Sequence, residues 1–255
     1  MKILSEHKFS IITVCFNSEI TIEQTIRSVL SQSYKNLEYI IVDGGSTDGT
    51  LEIINRYKNK IDILICEPDN GIYDAMNKGI NSSSGELIGL LNSDDWYEPD
   101  TLELVSEAYK ESDRQTVIHG LCKEIDQNRE GKIHAYHHDV LPVHSIAHPT
   151  CFVPKSIYDK YGIYDIDFKI AADYEFLLRL YLNGVGFKRI ERVLVNFRTD
   201  GASNNLASGY EDLAIRYRHE QFGRVKYMLK WVKYSLFYLK HLMVTRPYQK
   251  WVLGR

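Results

Sequence analysis

A chain of 255 residues that is 44% hydrophobic and 25% charged has the composition of a cored globular protein, which argues against disorder. Its formal charge of -3 disfavours a nucleic-acid-coating polycation, and no run of 18 apolar residues is present to cross a bilayer. Four cysteines (Cys15, Cys66, Cys122, Cys151) show neither CxxC nor zinc spacing, and the first residues, MKILSEHKF, are too polar for a cleavable signal, so a cytosolic chain with reduced thiols is expected.

In chain order, FSIITVCF (9 to 16) reads as a buried strand, and Ile22, Ile26, Val29 and Leu30 recur at the spacing of a following helix. LEYIIVD (37 to 43) is a second strand, followed by the turn GGSTDG and a helix with Leu51, Ile54 and Tyr57 inward. IDILICE (61 to 67), the turn PDNG and the helix IYDAMNKGI form a third cycle, and ELIGLL leads a fourth strand into LNSDDWY. This alternation predicts right-handed βαβ units on a mostly parallel sheet flanked by helices, an α/β fold. Beyond residue 115, TVIHG is strand-like, 123 to 139 is a hairpin or mobile loop, KSIYDKYG is helical, and AADYEFLLRLYLNG is an amphipathic helix that Gly184 stops.

Polar residues gather where those first strands end: Asn17, then Asp43, then Glu67 and Asp69, then Asp94 and Asp95. The carboxyl edge of an open parallel sheet is where ligands bind. Several carboxylates there without matching Lys or Arg call for a divalent cation, and hard oxygen ligands suit Mg²⁺ or Mn²⁺ on a diphosphate. An ordinary helix cap or exposed turn is the alternative for the Asp94–Asp95 pair. The turn VDGGSTDGT has neither GxGxxG nor a Walker lysine, which disfavours dinucleotide and P-loop readings.

The succession FSIITVCFNSEITIEQTIRSVLSQSYKNLEYIIVDGGSTDGT, EPDNGIYDAMNKGI and SGELIGLLNSDDWY resembles the motifs of family 2 glycosyltransferases with the A-type fold, of the kind found in bacterial polysaccharide and O-antigen synthesis. The resemblance runs from residue 9 to about 200. It implies an inverting hexosyl- or N-acetylhexosaminyl-transferase that uses a nucleotide-diphosphate sugar, most often a UDP-sugar, with a divalent metal; GDP is the alternative. Matched residue by residue, it implies that Thr13, Phe16, Asn17 and Asp43 line the nucleotide pocket, with Asp69 as a further nucleotide contact. Asn92, Ser93 and Asp94 occupy the D-x-D position, with Asn replacing the first Asp, so Asp94 is the implied metal ligand and Asp95 a second ligand or orienter. Asp173 falls at the position of the catalytic base, where Ala172 replaces a Glu. His148 is expected on the acceptor side or in a structural hydrogen bond, and Arg198 against the diphosphate in the loop FRTDGASNN. Glu67 and Lys78 are candidate supporting contacts, and Asp74 and Asn77 candidate helix anchors.

Residues 1 to 205 are therefore expected to form the catalytic domain and 206 to 255 a helical extension. Residues 221 to 255 hold eight of the 31 Lys and Arg and none of the 34 Asp and Glu. From Phe222 to Met243 a helical projection separates an apolar stripe, an aromatic stripe (Tyr227, Trp231, Tyr234, Tyr238) and a lysine stripe. Such a helix suits a membrane interface with anionic lipid, or else packs on the catalytic domain or a second subunit. With a membrane position, the resemblance to bacterial polysaccharide and O-antigen transferases implies a glycan acceptor on a polyprenyl diphosphate at the inner face of the cell membrane. A sugar nucleotidyltransferase is disfavoured because CFNSEIT lacks a Gly-rich basic loop, and nucleic-acid binding because the body is acidic.

Overall fold

The computed structural model describes residues 7–126, 129–199 and 208–236. The chain divides into two compact units, Met1–Gly201 and Ala202–Arg255.

In the first unit, β1 (Phe9–Cys15) is buried along its whole length because it lies between β2 (Leu37–Asp43) and β4 (Leu87–Asn92), parallel to both. Its apolar residues, rich in Ile and Val and interrupted only by the buried Ser10 and Thr13, are those of a strand covered on both faces. β3 (Ile63–Cys66) extends the parallel set beside β2. The crossovers are α1 (Ile22–Leu30), α2 (Thr50–Arg56) and α3 (Ile72–Ser82). Ile22, Ile26 and Val29 on α1 are fully buried. Each contributes about 1.5–3 kcal/mol of apolar burial, which outweighs the marginal intrinsic stability of so short a helix.

After β4 the chain passes through β5 (Trp96–Tyr97), α4 (Thr101–Lys110), β6 (Thr116–Asp126), β7 (Arg129–His134), β8 (Phe152–Pro154), α5 (Lys155–Tyr161), α6 (Ala172–Leu182) and β9 (Gly186–Arg198). The sheet order is β3-β2-β1-β4-β8-β6-β9-β5, with β7 on β6. β8 runs antiparallel to β4 and β6, whereas β9 runs parallel to β6. The 123 to 139 stretch thus contributes one arm of a β6–β7 hairpin, and the strand β9 adds an element absent from the sequence reading.

At the opposite sheet edge from the acidic residues, Glu38 ties three segments together. It accepts from Lys8 Nζ at 2.8 Å, Ser84 Oγ at 2.7 Å, the Gly85 amide at 3.1 Å and the Ser10 hydroxyl. Burial pushes its carboxyl up, but the hydrogen bonds from Lys8, Ser10 and Ser84 outweigh this and lower it from 4.5 to about 2. A carboxyl lowered in the folded state stabilises above its free-chain value and loses that stabilisation as pH falls. Glu38→Gln should therefore melt at a lower temperature at neutral pH and lose less stability than wild type between pH 4.5 and about 2, as read by thermal melts across that range.

In the second unit, α7 (Ser208–Arg218) is followed by helical residues 224–236. Tyr217 stacks on Tyr227 with ring centres 4.4 Å apart, and Tyr210 meets Tyr234 edge-on at 5.4 Å and donates to Ser235 Oγ at 3.2 Å. Tyr227 and Tyr234 of the aromatic stripe thus meet rings of α7, while Trp231 and Tyr234 remain 48% and 37% exposed. Within this unit Val225, Leu229, Val232 and Leu236 stay exposed beside Lys226 and Lys233. Tyr238, Leu239, Lys240 and Met243 lie outside the described residues. Among the described residues, no helix is long and apolar enough to cross a membrane.

Candidate active site

The carboxyl ends of β1 to β4 are laced together by short polar links. Asn17 adopts φ 49°, a left-handed conformation that Asn tolerates. Its amide donates to Ser46 Oγ and its Oδ1 accepts from the Thr47 amide, both at 2.8 Å, joining the end of β1 to the turn after β2. Ser18 Oγ meets Ser93 Oγ at 2.8 Å, and Thr25 Oγ1 donates to the carbonyls of Ser93 and Asp95 at 3.0 and 2.7 Å. The DD segment after β4 is therefore held from α1 and from the end of β1.

Asp43 is fully buried, and its carboxylate accepts from the amides of Gly45 and Ser46 at 3.0 and 2.9 Å and from the Ser46 hydroxyl at 2.5 Å. Gly45, at φ +93°, permits the turn that brings those amides round. As placed, Asp43 shapes the rim of the crevice from beneath. Asp69 approaches from the β3–α3 loop, its Oδ1 accepting from the Gly71 amide at 2.8 Å while its Oδ2 fills the space a side chain at Gly44 would need. Phe16 stands 60% exposed at the end of β1, open to a planar partner. Thr13 departs from expectation: it is fully buried inside β1 with its hydroxyl 3.1 Å from Tyr39 Oη, so it lines no surface. Two further residues of strand prevent it from reaching the edge.

Asp94 is half-buried and Asp95 fully buried. Burial raises the Asp94 carboxyl above the usual range, and burial followed by the neighbouring Asp94 charge pushes Asp95 well above it; the Arg198 charge pulls both back. Arg198 is held by its own contacts: its amide donates to Asp95 Oδ1 at 3.1 Å, its guanidinium donates to Gln24, and it lies 4.9 Å over the Trp96 ring. Among the described residues, Asp95 Oδ2 and Asn92 Oδ1 are buried without a hydrogen-bond partner. Unmet oxygen acceptors next to a destabilised carboxylate pair match the donor set of a hard divalent cation, so the residues fit such an ion. Asp200 and Gly201, expected in the same loop as Arg198, lie outside the described residues.

Asp173 sits in the first turn of α6, and its Oδ1 accepts from Tyr73 Oη at 2.8 Å. Tyr73, at the start of α3, also donates to the Ile170 carbonyl at 2.7 Å, so the acidic loop before α3 and the start of α6 share one hydroxyl. His148 is buried and makes a structural hydrogen bond, its Nε2 2.8 Å from Tyr164 Oη, within reach of the Asp173 charge, which raises its pKa while burial lowers it. Asn77 clamps Tyr164 from α3, donating to its carbonyl at 2.9 Å and accepting from its amide at 3.0 Å. Lys78 pairs with Glu67 at 2.9 Å, and Asp74 accepts from the Asn70 amide at 2.9 Å, so these residues support the loop around Asp69. Tyr73 and Tyr164 escaped the sequence reading; the IYDAMN segment pointed to the place but not to the tyrosine.

Another cleft is bordered by Glu98, Asp100, Lys123 and Arg192. Its charges pair with each other, Lys123 with Glu98 at 3.8 Å and Arg192 with Asp100 at 3.1 Å.

Residues 10–167 match the model of glycosyl transferase family 2. The chain belongs to that family. It is 33% identical over 179 residues to an uncharacterized glycosyltransferase of Mycobacterium tuberculosis, covering 68% of each chain. Among solved structures, Staphylococcus aureus TarS 1-349 in complex with UDP-GlcNAc aligns at a TM-score of 0.68 and 20% identity, covering 95% of this chain and 75% of that one. The mannosyltransferase PcManGT of Pyrobaculum calidifontis in complex with GDP-Man and Mn²⁺ aligns at 0.66 and 16% identity, covering 87% and 66%. This chain spans 39% of the chain in another TarS crystal structure. The family 2 domain is thus a glycosyltransferase built on the A-type, nucleotide-sugar-transferase fold, and its matched segment ends six residues before Asp173.

Proposed function

We propose that this protein is an inverting glycosyltransferase that moves a hexosyl or N-acetylhexosaminyl unit from a nucleotide-diphosphate sugar, UDP-linked in the first instance, to a hydroxyl of a glycan acceptor. The observation that carries the reading is the pair Asp94 and Asp95, the first raised by burial and the second by burial and then the Asp94 charge, with Asp95 Oδ2 and Asn92 Oδ1 left without partners among the described residues. Asp94 and Asp95 would hold Mn²⁺ or Mg²⁺, which supplies charge neutralisation on the diphosphate leaving group. The TarS complex with UDP-GlcNAc favours UDP, and the PcManGT complex with GDP-Man and Mn²⁺ keeps GDP as the alternative.

Phe16 offers a face to the base, and the turn fixed by Asp43, Asn17 and Asp69 shapes the nucleotide side. Asp173 is the base. Its Oδ1 is steadied by Tyr73, and its Oδ2, not engaged among the described residues, takes the proton from the acceptor hydroxyl as that oxygen attacks the anomeric carbon. Arg198 contributes positive charge beside the carboxylate pair. Calorimetric titration of UDP and GDP with Mn²⁺, and again with EDTA, tests the reading. Metal-dependent UDP binding is expected; preference for GDP would change the donor, and binding of neither would defeat the site assignment.

The acceptor is a glycan carried on a polyprenyl diphosphate at the inner membrane face, reached through the basic tail. Exposed Val225, Leu229, Val232 and Leu236 beside lysines support that surface role. Co-sedimentation with vesicles containing anionic lipid is expected, weakened by added salt. Equal binding to neutral vesicles, or none to anionic ones, would remove the membrane from the reading.

A further inference from the structure

A second group of metal-competent side chains stands on the loop after β7, distinct from Asp94 and Asp95. One donor atom from each of His137, His138 and Asp139 lies within 4.8 Å of the others. The backbone explains the convergence. Residues His138–Val140 form a single 3-10 turn whose cap is His137, and the His137 Nδ1 accepts from the Asp139 amide at 3.4 Å and lies 2.8 Å from Asp139 Oδ2. The two imidazoles lie with ring centres 3.9 Å apart.

Behind this exposed face is a buried support. His119 of β6 is fully buried, with its Nε2 3.1 Å from His138 Nδ1. Held in the strand and closed off from solvent, the His119 ring is placed to fix the orientation of His138. Phe187 stacks on His138 with ring centres 5.5 Å apart. Metal-bound imidazoles are commonly held by a hydrogen bond on one ring nitrogen while the other is left for the ion, which here would be His138 Nε2. The positive group facing the cluster, Arg189, is itself engaged with Glu191 at 2.9 Å and with the Ala135 carbonyl at 2.6 Å.

We propose that His137, His138 and Asp139, backed by His119, form a binding site for a divalent transition ion of the Zn²⁺ class. Two imidazoles and one carboxylate suit zinc better than magnesium or manganese, and three protein ligands leave a position for water. The ion would fasten a loop that already touches the catalytic side, since Leu141 accepts from Tyr174 Oη of α6 at 3.0 Å, next to Asp173.

The test is calorimetric titration of Zn²⁺ into tag-free, chelator-treated full chain without nucleotide, for wild type, His137→Ala and Asp94→Asn. His137 and Asp139 are exposed, so the first variant keeps its fold, which circular dichroism verifies. A saturable site is expected in wild type that persists in Asp94→Asn, where it takes up one ion per chain, with affinity at that site falling at least about tenfold in His137→Ala. Absence of saturable uptake, uptake unchanged in His137→Ala, or uptake lost in Asp94→Asn would each overturn the proposal. The last outcome would place the ion at the carboxylate pair.

Discussion

Asp173→Asn should lower the turnover rate of sugar transfer by roughly 100- to 10,000-fold, the range a positioned general base contributes, while nucleotide binding stays unchanged. The amide keeps the size of the carboxylate and keeps an oxygen to accept from Tyr73 Oη, which lies 2.8 Å from Asp173 Oδ1, so the start of α6 is preserved. What disappears is the ability to accept a proton. Tyr73→Phe should fall between wild type and Asp173→Asn, because it removes the hydrogen bonds to Asp173 and to the Ile170 carbonyl but leaves the base in place. Steady-state kinetics with the nucleotide sugar, separating kcat from KM, distinguish these cases. Full activity in Asp173→Asn would mean that the acceptor is deprotonated by another group.

Asp94→Asn should abolish the metal-dependent part of UDP binding, or weaken it by at least about tenfold, without harming the metal-free fold. The two halves of that expectation have opposite physical origins. With a cation present, Asp94 supplies charge and an oxygen ligand. Without one, its negative charge raises the neighbouring buried Asp95, and removing it relieves that repulsion. Because position 94 is only half-buried, the substituted amide keeps access to water. A calorimetric titration with Mn²⁺ and with EDTA, paired with a thermal melt in EDTA, reads both effects. Binding retained at wild-type strength with Mn²⁺ would show that Asp94 is not a ligand, whereas a sharp fall in melting temperature in EDTA would assign it a structural role.

The half of the fold from β1 to β4 was legible because each strand is an apolar run closed by a turn, as in FSIITVC before Asn17 and LEYIIVD before Gly44. β9 was not. Its sequence, GFKRIERVLVNFR, carries Lys188, Arg189, Glu191 and Arg192, and its strand character depends on β6 and β5 lying on either side. In the site, adjacent acids at Asp94 and Asp95 announced an unusual electrostatic environment. The burial of Asp43 and Thr13, by contrast, is set by which side of a strand or turn faces the crevice, and a motif alone does not carry that information. The same limit hid Tyr73, whose importance lies in a contact with a residue 100 positions away.

The pairing of β5 with β9 also bears on how the protein is made. Trp96 is opposite Asn196, and Asp95 Oδ1 is bonded to the Arg198 amide across a sequence separation of 103 residues. Contacts that distant close large loops and form late, particularly when a chain emerges from its N-terminus. The β1 to β4 layer can assemble while the ribosome is still building β9, but the carboxylate pair acquires its last backbone donor only after residue 198 has left the exit tunnel. A fragment cut at the end of the family match, residue 167, would lack both that donor and Asp173. Acquisition of the geometry proposed to hold the metal is thereby deferred until nearly the whole first unit has been synthesised.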